Sequence, residues 1–113
     1  MSKKAELLAL AERVEAGSGS DLILRAEVFK ALPREYWLDM DITRSIDAVE
    51  ELRERLCPDM WVCITAPTSP VGKWDACIGP PELHSEVMWY GLAKTEPLAR
   101  LAAVLRAYAD GVE

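Results

Sequence analysis

The chain has 113 residues but one histidine, His84. A Ser-His-Asp or Cys-His arrangement needs a base poised beside a nucleophile. His84 follows Gly79-Pro80-Pro81-Glu82 at the start of an expected strand, where a surface residue is the ordinary reading. Neither GxGxxG nor GxxxxGK[ST] occurs, so no nucleotide-binding loop is expected. These absences predict no catalytic residue, no cofactor and no enzyme activity. Cysteine is scarce too. Cys57, Cys63 and Cys77 are odd in number and irregular in spacing, which argues against a disulfide framework. There is no CxxC pair, so no zinc site is expected. Cys63 and Cys77 lie in apolar, strand-like contexts, where a free thiol serves as a small hydrophobe.

Long apolar runs are also missing. No stretch approaches the ~20 apolar residues that span a bilayer. At the start, MSKKAELLALAERVEAG has a basic opening, but Glu6 and Glu12 interrupt its apolar run, so it does not read as a signal peptide. A cytoplasmic protein without membrane contact is expected. Basic residues are outnumbered, 13 against 19 acidic, for a net charge of −6. They are spread from Lys3 to Arg106 rather than clustered. Such a surface repels phosphate backbones, so direct nucleic-acid binding is not expected. Acidity usually serves solubility; a sharper reading is an acidic face that mimics nucleic acid in a partner's basic groove.

What is present is apolar area and period. Half of the residues are hydrophobic, enough for a folded core in a single domain over 1–113. Residues 3–16 form an expected helix, with Leu7, Leu10, Ala11 and Val14 on one stripe, Ser2 as cap and Gly17 as stop. A second helix is expected over 21–32, with Leu22, Ala26, Phe29 and Leu32 inward and Pro33 ending it. Residues 34–43 lack period and read as an ordered loop, with Tyr36 and Trp37 anchored on the core. A third helix over 45–56 points Ile46, Val49, Leu52 and Leu56 inward.

Residues 60–66, MWVCITA, are apolar on both alternating faces and predict a strand covered on both sides. A second strand over 74–78 puts Trp74, Ala76 and Ile78 on one face, Asp75 and Cys77 on the other. A third lies within 84–94. Short connections favour antiparallel neighbours. The last helix is capped by Thr95, with Leu98, Leu101, Ala102, Leu105 and Tyr108 as its stripe and Gly111 as its stop. The expectation is an α+β fold in the order α-α-α-β-β-β-α. Its three-stranded antiparallel sheet carries helices on both faces, and Ile46, Val49, Val62, Ile64, Leu101 and Leu105 are buried together.

The segments DITRSIDAVEELRERLCPDMWVCI, WDACIG and TEPLARLAAVLRAYA resemble a group of small phage and prophage proteins, the phage ABA-sandwich family. The matching stretches are 8–21, 43–64 and 95–107, and Ser45, Asp47, Ala48 and Trp61 fit the family pattern. The second helix, LILRAEVFKALPREYW, follows a different pattern from the family's. The resemblance implies a fold and a viral setting, hence a host cytoplasm, and no catalytic residue.

Four tryptophans stand in this short chain. Trp61 and Trp89 read as core; Trp37 and Trp74 stand where partial exposure is expected. The loop before the third helix combines Glu35, Tyr36, Trp37, Asp39 and Asp41: negative charge to steer a basic partner and aromatic area to hold it. These five residues are the candidate partner-binding site. The rival reading makes the aromatics a core plug and the acids a solubility device. Asp39 and Asp41 also make a D-x-D spacing, a weak magnesium motif. The expected function is stoichiometric binding to a host or phage protein, such as anti-CRISPR-like inhibition of a host defence system, with a homodimer left open. The alternative is a small-ligand-binding or enzymatic domain with a pocket between sheet and helices.

Overall fold

The computed structural model describes residues 2–82 and 86–112. It is an α+β fold in the order expected from sequence. Helix α1 (Lys3–Glu15) starts where the Ser2 hydroxyl accepts the Ala5 N–H. Helix α2 (Leu22–Ala31) is capped by Asp21, whose carboxylate accepts the N–H groups of Ile23 and Leu24. A single 3-10 turn, η1 (Arg34–Tyr36), follows. Helix α3 (Ile46–Leu56) is capped by Ser45. The strands β1 (Trp61–Thr65), β2 (Trp74–Gly79) and β3 (Trp89–Ala93) come next. Helix α4 (Glu96–Asp110) has Thr95 as its cap and Pro97 in its first turn. The expected His84 lies outside the described residues.

The sheet is an antiparallel meander, β1-β2-β3, with Cys63 opposite Cys77 and Cys77 opposite Tyr90. Helix α4 is the centre of the core. Leu98, Leu101, Ala102, Leu105 and four further residues of its length are wholly buried, because α1, α3 and the sheet surround it. Its alanines let β3 approach closely. A Cβ on Gly91 would lie 2.0 Å from the Ala99 carbonyl oxygen, so only glycine fits there.

The expectation of helices on both sheet faces is corrected. Helix contacts with the sheet come from α4 and α1. Along β1, exposed Trp61, Cys63 and Thr65 alternate with half-buried Val62 and Ile64. One face therefore packs on the helices and the other meets solvent. Trp61, expected in the core, is 42% exposed on that open face. Val62 and Ile64 are only partly buried, against an expected full burial.

Two helical stripes also move. On α2 the buried residues are Leu24, Val28, Phe29 and Ala31, while Leu22 is exposed at 65% and Ala26 faces solvent. That segment is apolar nearly all round, so two stripes were compatible with it. On α3, Ile46 is exposed, and Ala48, Val49 and Leu52 form the buried set. The α1 stripe of Leu7, Leu10, Ala11 and Val14 is buried as expected.

Candidate functional site

The loop expected to bind a partner is held down by its own polar groups. The Arg25 guanidinium donates to the carbonyls of Met40 (2.8 Å) and Leu38 (3.3 Å). Asp41 accepts the Ser20 hydroxyl at 2.6 Å and the Thr43 hydroxyl at 2.5 Å. Burial opposes ionisation of Asp41, yet these bonds together hold its carboxyl below the ordinary value. Asp41 is thus a strut between α2 and α3. Tyr36 is half-buried and meets Tyr108 edge-on, with ring centres 6.3 Å apart.

The other three residues are presented to solvent. Trp37 is 41% exposed, donates its indole N–H to the Leu32 carbonyl at 3.1 Å and lies under the Arg34 guanidinium. Glu35 is exposed, and Asp39 makes a long ion pair with Arg25 at 3.8 Å. The five residues therefore divide into two that brace the fold and three that face outward. Asp39 pairs with Arg25, and Asp41 accepts from Ser20 and Thr43. Among the described residues no three His, Cys, Asp or Glu side chains gather into a metal-binding group.

A larger feature is the open sheet face. Its rows follow from register. In the first, Trp61 stands opposite Gly79, with Met88 just beyond the last β3 pair. In the second, Cys63, Cys77 and Tyr90 lie side by side. In the third, Thr65, Asp75 and Leu92 do. Trp61 lies flat over Gly79: a Cβ there would meet the indole at 2.1 Å. Met88, Tyr90 and Leu92 are all exposed. A solvated antiparallel face normally alternates apolar-in with polar-out. Among the strand residues of this face Asp75 alone is charged, in a chain of net charge −6. A largely apolar, aromatic patch with a single carboxylate is a candidate interaction surface.

The two sheet edges differ. Glu15 accepts the Leu92 N–H at 2.8 Å, and Arg106 donates to the Tyr90 carbonyl at 2.8 Å. The pair Glu15–Arg106, closed at 2.6 Å, so caps the edge of β3. Among the described residues no side chain bonds the outward backbone of β1; Arg53 stops just short, donating to the Met60 carbonyl at 3.0 Å. An uncapped edge can pair with a partner strand. A groove of about 500 Å³ adjoins that edge, lined by Arg53, Glu54, Pro58, Asp59, Met60 and Trp61. Another, of about 290 Å³, lies between α1 and α2, with Glu6, Arg13, Glu27 and Lys30 around it.

Sequence reasoning missed this face because it assigned β1 to the middle of a two-sided core. The signal that could have found it was Cys63, Cys77 and Tyr90 sharing one face of a short meander that a single long helix covers from the other side. No family model matches the chain, and neither a curated protein nor a solved structure does.

Proposed function

We propose that this chain acts by stoichiometric binding to a protein, with the open face of β1, β2 and β3 as the contact surface. The observation that carries the reading is the run of exposed apolar and aromatic side chains Trp61, Met88, Tyr90 and Leu92, with Asp75 the single charge among the strand residues of that face, on an acidic molecule. Aromatic side chains supply large contact area at low entropic cost, and the acidic remainder steers a basic partner. The phage-like segments support placing this activity in a phage or prophage, where a small binding protein inhibits a host defence protein in the host cytoplasm. No residue is assigned a catalytic role.

The test is capture from host lysate by three forms of the protein. The double variant Tyr90→Lys with Leu92→Lys puts charge on the face without touching the core. It should lose a partner that the native chain retains at one-to-one stoichiometry. The double variant Glu35→Gln with Asp39→Asn should keep it. The reverse outcome moves the site to the loop, the second reading, which the outward Trp37 and Asp39 favour. Turnover of a small substrate by the purified chain would contradict both.

A further inference from the structure

Two sulfur atoms meet on the open face, and a third stands in register beside them. Cys63 and Cys77 are directly opposed across β1 and β2. Opposed side chains on one face of an antiparallel pair have Cβ atoms about 4.5–5.5 Å apart, so a rotation about χ1 brings both thiols toward one point. The Cys77 Sγ lies 3.4 Å from the Met88 Sδ. The Tyr90 hydroxyl, 3.7 Å from that thioether, closes the group on the β3 side. Cys63 and Met88 are exposed and Cys77 half-exposed, so an ion from solvent has access.

We infer that Cys63, Cys77 and Met88 form a site for a thiophilic monovalent metal ion, of which cuprous ion fits the donors best. Two thiolates and a thioether are soft ligands, which select Cu(I) over harder ions. Zinc in a closed site requires four nitrogen, sulfur or oxygen ligands, and thioether sulfur is not among its usual ones. Magnesium and calcium require oxygen donors, of which the face offers one carboxylate, Asp75. Binding is a ligand exchange without redox change: two thiols each lose a proton to water, and Cu(I) gains two Cu–S bonds and a third from the neutral thioether. The ion is taken up already reduced. Trp61 and Leu92, one row away on either side, shield the site laterally. The inference uses the sulfurs alone and holds whether or not the face also binds a protein.

The test is a titration of the intact chain against the coloured cuprous bicinchoninate complex. The native chain should withdraw one Cu(I) per molecule. Cys63→Ser and Cys77→Ser should each weaken binding at least about 100-fold, and Met88→Leu, of similar volume, about 10-fold. Cys57→Ser should change nothing, because Cys57 is buried elsewhere. X-ray absorption of the loaded native chain should show a shell of sulfur only. Failure to compete, binding that survives loss of both Cys63 and Cys77, or a nitrogen- or oxygen-dominated shell would overturn the site. These readouts involve no partner protein, so they fail or succeed independently of the capture experiment.

Discussion

At the scale of single residues, the clearest dependence is on Glu15. Its carboxylate is held below the ordinary 4.5, chiefly by the hydrogen bond from Arg106, with burial opposing and the Leu92 N–H assisting. A depressed folded pKa stabilises the fold fully above about pH 4.5, and the contribution disappears as pH falls through the lower folded value. Glu15→Gln should therefore cost about 1–2 kcal/mol at neutral pH. Urea melts at pH 7 and pH 3 check this. The gap between native and variant should narrow at pH 3; an equal gap at both pH values would mean that the charge contributes nothing. Gly91→Ala is the steric counterpart. The added methyl would meet the Ala99 carbonyl and the Ala103 N–H of α4, so a loss of about 1–3 kcal/mol or more is expected in the same melts. Thiol reactivity separates the cysteines. Burial pushes the Cys57 thiol up to about 11, so an aromatic disulfide reagent at pH 8 should titrate Cys63 and Cys77 in the native protein, and Cys57 only after denaturant.

At the scale of elements, the helices were legible because their signals are local. Ser2, Asp21, Ser45 and Thr95 cap as their types suggest. The α1 stripe is narrow enough to have one inward solution, whereas α4 buries Ala99, Ala103, Val104 and Ala109 beyond its expected stripe because elements surround it. On α2 the side chains Leu22, Ile23, Leu24, Val28 and Phe29 wrap most of the circumference, so only tertiary contact selects the inward set. On α3 the periodicity identified the apolar side but not how far the neighbouring elements reach along it, and Ile46 in the first turn overhangs. The consequence is measurable. Leu101→Ala in the middle of α4 should cost about 2–5 kcal/mol, whereas Ile46→Ala should stay within about 0.5 kcal/mol of native. Comparable losses for the two would place Ile46 in the core after all.

At the scale of the whole molecule, the antiparallel meander followed from short connections, but register and layer number did not. A doubly apolar strand normally means cover on both sides. MWVCITA instead lies at a sheet edge, with Val62 and Ile64 toward the helices and Trp61 and Cys63 toward solvent. Apolar residues not needed by the chain's own core are compatible with the same sequence pattern, and a pattern of hydrophobicity cannot say whose surface will cover them. The loop was legible as an ordered, aromatic, acidic segment; that Asp41 braces it depends on Ser20, twenty-one residues away, which no local pattern reveals. The most direct test of the open face as the binding surface is hydroxyl-radical footprinting of the protein free and in complex with its captured partner, since Trp, Tyr, Met and Cys side chains all report. Trp61, Met88 and Tyr90 should lose labelling in the complex while Trp37 keeps it. Protection of Trp37 with Trp61, Met88 and Tyr90 unchanged would contradict the account.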